Sequence, residues 1–256
     1  MDKKENNAPM PSNVIPRITP QLTMIGFDAD DTLWHNERYF EMTQRHFADL
    51  LSNYTDKSTL LARLLDAERR NLPHYGFGIK GFTLSMIETA IEVTEGKVPA
   101  SVIAEILAAG RDMLRHEVEL LPHVTEVLTA LKDRYVLILI TKGDLLDQQR
   151  KLAESGLAAF FDGVEIVSHK TAHEYREIFA RYGAGAGVGA EAGMMVGNSM
   201  ASDVVPMIAA GGHGVFAPHG LTWALEHAPT PLNEPRFHEI ADLSELIGVI
   251  DAVGVT

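Results

Sequence analysis

Residues 135–140 read Tyr-Val-Leu-Ile-Leu-Ile, a continuous apolar run. A strand with one wet face alternates apolar and polar residues. A run without alternation is expected of a central parallel strand covered on both faces. Parallel strands cannot be joined by tight hairpins, so helical crossovers must lie between them. Four further short stretches fit: 23–27, 163–167, 194–197 and 214–216. Helical apolar spacing separates most of them, and 243–253 reads as a closing helix. Five strands with helical crossovers predict an α/β fold, a doubly wound parallel sheet of Rossmann-like type.

One interval breaks the alternation. From residue 34 to 117 the apolar residues keep helical spacing and no strand candidate occurs. Tyr39, Phe40, Phe47, Leu50 and Leu51 form one stripe, and Leu60, Leu61, Leu64 and Leu65 a second. Phe82, Ile87, Ala90 and Ile91 predict a third helix, and Val102, Ile103, Ile106 and Leu107 a fourth. Residues 73–81, with Gly76, Gly78 and Gly81, predict a mobile loop facing a substrate, with His74 and Lys80 as candidate contacts. The division expected is a tail over 1–20, a core over 21–33 and 118–256, and an inserted all-helical module over 34–117. The tail is polar, carries Pro9, Pro11, Pro16 and Pro20, and lacks the apolar centre of a signal peptide.

Charge and composition narrow the partners. The formal net charge is −13, which disfavours non-specific binding to nucleic acid or an anionic membrane. No apolar run reaches membrane-spanning length. The chain has no cysteine, so disulfides and thiolate metal sites are excluded. A cytoplasmic protein is the expectation, with oligomeric state open.

Polar clusters stand at the predicted strand ends. Residues 24–34 read Met-Ile-Gly-Phe-Asp-Ala-Asp-Asp-Thr-Leu-Trp, so Asp28, Asp30, Asp31 and Thr32 follow the first strand directly. If the strand continued, Asp28 and Asp30 would project to one side. Two adjacent carboxylates repel, and one must be neutralised by a proton or a cation. Thr141, Lys142, Gly143 and Asp144 follow the central strand, with Asp144 a candidate helix cap. Ser168, His169 and Lys170 follow the next, before a capping-box pattern at Thr171 and Glu174. Asn198, Ser199, Ser202 and Asp203 follow the fourth. In a parallel sheet these clusters gather on one edge, where α/β sheets bind ligands. A carboxylate pair, a hydroxyl, a lysine and a further polar and acidic pair are what phosphoryl transfer uses. Singly, each has a plainer reading: a turn, a helix cap, a surface lysine, a first-turn acid. His169 and His173 read as surface histidines. Gly183, Gly185, Gly187 and Gly189 follow a helix, the wrong context for a dinucleotide loop.

Together the clusters resemble the four motifs of the haloacid dehalogenase-like hydrolase superfamily. Asp28-Ala29-Asp30-Asp31-Thr32 is similar to its D-x-D-x-T, Thr141 to its second motif, Lys170 to its third, and 197–203 to its G-D-x-x-x-x-D. The helical insertion resembles the family's cap. The resemblance implies a Mg²⁺-dependent phosphatase of small phosphorylated metabolites, of phosphoglycolate-phosphatase or nucleotidase type. In it Asp28 is the nucleophile and Asp30 the acid/base. Thr141, Lys142, Gly143 and Lys170 bind phosphate, and Asp28, Asp30, Asn198 and Asp203 hold the metal. Asn198 departs from the usual Asp. Dehalogenases of the superfamily carry Asn in this region but lack the second Asp of the first motif, so Asp30 favours the phosphatase. A phosphotransferase resembling β-phosphoglucomutases, a 2-haloacid dehalogenase and a non-catalytic phosphate-binding protein are the alternatives.

Overall fold

A computed structural model describes residues 21–254. The predicted tail lies outside the described residues. Strand β1 (Met24–Phe27) leads into four helices, α1 (Glu37–Leu50), α2 (Lys57–Tyr75), α3 (Ile79–Val93) and α4 (Ala100–Met113). The α/β alternation then runs α5 (Val124–Leu131), β2 (Val136–Lys142), α6 (Leu145–Ser155), β3 (Gly163–Val167), α7 (Ala172–Gly183) and β4 (Gly193–Gly197). It closes with α8 (Val205–Ala210), β5 (His213–Phe216), β6 (Phe237–Glu239) and α9 (Leu246–Gly254). The sheet is wholly parallel, in the order β3-β2-β1-β4-β5-β6. It has six strands where the sequence predicts five. β6 spans three residues and continues pairing from β5, too short to leave a period-2 signal.

The sheet is covered on both faces, as the apolar run of β2 requires. Ile25, Phe27, Leu137, Leu139, Met194 and Val196 pack on one side against residues of α5, α9 and the end of α6. Met24, Ile138, Ile140 and Met195 pack on the other against Tyr175, Ile178 and Phe179 of α7 and Met207 of α8. Gly193 makes room for α7: a Cβ there would overlap the buried Phe179 ring.

The four inserted helices have their own core of Phe47, Leu51, Leu60, Leu64, Phe82, Met86, Ile106 and Met113. Met86 is a centre of this core, whereas Ile91 and Leu107, expected inward, are exposed. Asp56 caps α2 by accepting the Thr59 N–H at 3.0 Å. That helix runs through Pro73 to Tyr75, so the predicted loop of 73–81 shrinks to Gly76, Phe77 and Gly78. The two connections to the sheet domain run side by side. Trp34 bridges Leu120, His35 N–H donates to the Glu119 carbonyl at 3.0 Å, and Leu121 N–H donates to Leu33 at 2.9 Å.

Gly193→Ala should lower stability by about 1–3 kcal/mol, the usual penalty for overpacking a filled core. The urea midpoint should fall with the m-value unchanged. An unshifted midpoint would mean that Phe179 can move aside.

Candidate active site

The strand ends converge where the strand order reverses, between β1 and β4. β1 stops at Phe27, before the extended stretch through Asp30 that same-side projection of Asp28 and Asp30 would need. From Asp28 the backbone turns: Leu33 N–H donates to Ala29 at 2.8 Å, Asp31 N–H donates to Trp34 at 2.7 Å, and Asp31 has φ +60°. The turn sends the acids to different partners.

Asp28 faces Lys170. Lys170, essentially without solvent, donates to Asp28 Oδ1 and to Asp203 Oδ1, the latter at 2.7 Å. Burial opposes the ammonium, but Asp203 and Asp28 outweigh it and hold the lysine firmly protonated. Burial pushes the Asp28 carboxyl up to about 7 against the pull of Lys170, with Asp203 and Asp30 adding to the rise. Asp203 sits in a wide π turn, 200–204, and its Oδ2 accepts the Ser199 N–H at 2.9 Å. Both of its oxygens are therefore engaged by the protein. A Cβ on Gly197 would overlap that carboxylate.

Asp30 is held by three donors. Trp34 Nε1 reaches Oδ1 at 2.7 Å, Lys151 Nζ reaches Oδ1 at 2.6 Å, and Gln148 Nε2 reaches Oδ2 at 2.9 Å. Gln148 also donates to Thr141 Oγ1 at 3.1 Å, while its own Oε1 is buried without a partner. Thr141 and Lys142 lie at the end of β2, and Gly143 follows with φ +115°. Lys142 Nζ is drawn to Glu226 Oε1 (2.5 Å) and Ser202 Oγ (2.7 Å), and lies 3.8 Å over the Phe77 ring. Burial raises Glu226, but Lys142 and the Ser199 and Ser202 hydroxyls outweigh it and hold the carboxyl below its ordinary range.

Asp144 does not cap α6 with its side chain, as the sequence suggests. It reaches the inserted helices instead, accepting the Lys80 N–H at 3.1 Å and pairing with Lys80 Nζ at 3.2 Å. Gly78, at φ +114°, allows this approach, since a Cβ there would lie 2.8 Å from Asp144 Oδ2. Of the capping box predicted at α7, one half forms. Thr171 Oγ1 accepts the Glu174 N–H at 3.4 Å, while Glu174 Oε2 is buried without a partner. His74 is exposed on the last turn of α2 and His173 is exposed on α7. His169 makes an edge contact with Phe77.

A cavity joins these groups to the inserted helices, from Asp28 at its floor to Glu37, Phe40, Glu68 and Phe77 at its roof. The segment between β5 and β6 closes one side with Trp223 and Glu226, and Trp223 Nε1 donates to Glu68 Oε2 at 3.3 Å. Burial raises the Glu37 carboxyl to about 8, reinforced by Asp31, Glu68, Asp30 and Glu226. Burial likewise raises Glu68 to about 7, against the Trp223 hydrogen bond.

Two places invite a cation. Asp31, His35 and His219 offer ligand atoms within 4.8 Å of one another. Asp31 already accepts the Asn36 and Glu37 N–H groups at 2.9 and 2.8 Å, so this carboxylate serves to cap α1. The second place lies beside the nucleophile candidate. The Asn198 amide fits best with its nitrogen toward the Asp30 carbonyl oxygen (3.2 Å) and Asp28 Oδ2 (3.3 Å). Turned over, it presents its oxygen there. That oxygen then lies 3.2 and 3.3 Å from the other two, close to the roughly 3 Å spacing of neighbouring ligands on an octahedral cation held at about 2.1 Å. The donor set fits Mg²⁺.

A parallel α/β sheet, a helical insertion after β1 and acids on the carboxyl edge define a capped hydrolase core. The family description "haloacid dehalogenase-like hydrolase" matches residues 22–211, and the chain belongs to that family. A haloacid dehalogenase-like family hydrolase from Xanthomonas campestris is 40% identical, covering 93% of this chain and 94% of its own, with a TM-score of 0.79. Two solved structures at 17% identity share the fold. One is described as the HAD-hydrolase YfnB from Bacillus subtilis, bound to magnesium (91% and 100% covered, TM-score 0.62). The other is a predicted phosphoglycolate phosphatase from Haemophilus somnus (90% and 98%, TM-score 0.60). A 2-haloacid dehalogenase from Pseudomonas syringae, 20% identical, also shares the fold (90% and 99%, TM-score 0.56). No curated protein matches the sequence.

The sequence reading left out Gln148, Lys151, Glu226, Trp223, Glu37 and Glu68. Gln148 and Lys151 stand three apart, one helical face beyond Thr141, a spacing that a closer reading of α6 finds. Among the described residues, no helix is long and apolar enough to cross a membrane.

Two outcomes follow. Lys170→Met leaves Asp28 and Asp203 buried without their cation and should destabilise the protein by about 3–5 kcal/mol at pH 8. The loss should shrink toward pH 5 as a carboxyl takes up a proton; calorimetric melting at both values measures it. Glu37 has a folded value of about 8, above the ordinary 4.5, so the folded state holds its proton longer. Stability from this group is lost as pH rises through that interval. Glu37→Gln should therefore show a shallower decline in Tm between pH 6.5 and 8.5 than the unaltered chain, and an equal slope would refute the burial argument.

Proposed function

We propose that this hydrolase is a Mg²⁺-dependent phosphomonoesterase working through an aspartyl-phosphate on Asp28. The observation that carries the reading is the second carboxylate. Asp30 lines the cavity beside Asp28, and departure of an alkoxide needs a proton that departure of a halide does not.

An Asp28 oxygen attacks phosphorus, and the bond from phosphorus to the ester oxygen breaks. Asp30 supplies the proton that the leaving oxygen takes up. Water then attacks the aspartyl-phosphate, giving its proton to Asp30, and Asp28 and phosphate are released. Lys170 offsets charge on the nucleophile and the phosphoryl oxygens. Thr141 Oγ1 and the Gly143 N–H, on the rim of β2, bind those oxygens. Asp203 positions Lys170, its two oxygens accepting from Lys170 and the Ser199 N–H. Lys151, Gln148 and Trp34 orient Asp30. Asp28, the carbonyl of Asp30 and Asn198 would hold Mg²⁺. The ion supplies positive charge that draws the phosphoryl group onto the nucleophile and counters the charge of the ester. Asn198 brings no charge of its own, so the ion should bind less tightly than to a carboxylate at that place.

The reading is tested by phosphate release from p-nitrophenyl phosphate and a panel of phosphorylated metabolites, with Mg²⁺ and with EDTA. Release should vanish with EDTA and fall at least 10³-fold in Asp28→Asn, the scale expected on losing a covalent nucleophile. Halide release from 2-haloacids without phosphate release would transfer the site to the dehalogenase reaction, the reading that Asn198 favours.

A further inference from the structure

The floor and the roof of the cavity differ in charge. Nine carboxyl side chains line it against three lysines. Each lysine is spent near the floor: Lys170 on Asp28 and Asp203, Lys151 on Asp30, Lys142 on Glu226. The roof presents Glu37 and Glu68, and among the described residues neither is paired with a lysine or arginine. Glu68 is more than nine-tenths buried, and only its Oε2 is taken, by Trp223. Among the described residues, Glu68 Oε1 and both Glu37 carboxyl oxygens have no hydrogen-bond or ion-pair partner. A carboxylate on the organic part of a substrate would meet these two acids with no cation to offset it.

A second feature points the same way. The rings of Phe40 and Phe77 line the same roof, and Trp223 lines the side next to it. Ring faces attract cations, and the Lys142 ammonium already stands 3.8 Å over Phe77. Carboxyl groups and aromatic rings lining one partly buried wall form an environment suited to an ammonium group.

From this arrangement we infer that Glu37, Glu68 and the surrounding rings form an ammonium subsite, and that the substrate is the phosphate ester of an amino alcohol or amino sugar. The inference rests on the phosphomonoesterase reading and adds the chemistry of the leaving group. Burial raises both carboxyls, and an ammonium beside them would favour their charged form by supplying the counter-charge that each lacks. Esters of hydroxy acids, whose far end is anionic, are disfavoured for the same reason.

The test compares three esters of similar size that differ in charge at the far end: 2-aminoethyl phosphate, propyl phosphate and phosphoglycolate. With the full chain in Mg²⁺, kcat/KM should be at least tenfold higher for the amine than for the neutral ester, and lowest for the carboxylate. Glu37→Gln and Glu68→Gln should each reduce the amine-to-neutral ratio at least fivefold. Equal rates for the three esters, a preference for the carboxylate, or a ratio that survives both substitutions would overturn the subsite. The phosphatase reading is judged apart, by p-nitrophenyl phosphate, whose ring has no ammonium. If that compound is not hydrolysed, calorimetric titration of the three esters decides the subsite without turnover. An affinity at least tenfold greater for 2-aminoethyl phosphate than for phosphoglycolate supports it, and an equal or reversed order overturns it.

Discussion

Lys170 between Asp28 and Asp203 is the contact on which the sheet edge depends. Its ammonium joins the loop after β1, the loop after β3 and the turn after β4 at one buried point. Without it two carboxylates would share a dry site, where both cannot ionise readily. With it, three separate stretches of chain are fixed to one another. The backbone prepares for this. Gly197 leaves the space that Asp203 fills, and the π turn then returns Asp203 Oδ2 to the Ser199 N–H. Buried ion pairs are weak sources of stability, since desolvation offsets most of their attraction. What the triad provides is definite position for the atom that would attack phosphorus.

The same device recurs twice on the rim. Lys151 meets Asp30 and Lys142 meets Glu226, each at hydrogen-bonding distance. Each pairing localises a carboxylate that would otherwise drift toward solvent. It also uses up the positive charge of the floor, leaving little for an incoming dianion. The cation proposed beside Asp28 would restore that balance, with Asp28 supplying the negative charge that the Asn198 amide and the Asp30 carbonyl lack.

How much of this was readable without coordinates depends on whether a residue's role is local. Asp28, Thr141 and Lys170 stand where an apolar strand stops, so periodicity alone places them on one edge. Asn198 and Asp203 follow the same rule. The sheet was legible because strands covered on both faces carry no alternation, as in β2. β6 was not, because three residues cannot display a period. Pro73 suggested a break, yet it sits in the last turn of α2, where little helix remains to disturb. Glu226 and Trp223 lie in an irregular stretch between β5 and β6 that contains Pro218, Pro229, Pro231 and Pro235. Nothing periodic marks them, and only tertiary packing brings them over Ser199 and Glu68. Asp144 misled through chemistry that is sound in isolation. It occupies the cap position of α6, but its carboxylate finds the better-placed donor of Lys80 across the cavity.

The contacts that tie the inserted helices to the sheet domain are of another kind from those within the site. Lys80 is more than half exposed, so its pairing with Asp144 is screened by water and contributes little. The Trp223–Glu68 hydrogen bond is long, at 3.3 Å. The two linkers, by contrast, are joined to each other by backbone hydrogen bonds at 2.9 and 3.0 Å. Weak closing contacts opposite a well-made double linker are the mechanical elements of a hinge. Opening would break the Asp144 and Glu68 contacts and leave the lysine pairs of the floor intact. Such an opening would admit substrate and release product without dismantling the groups around Lys170, and Glu37 and Glu68 would move with the helices.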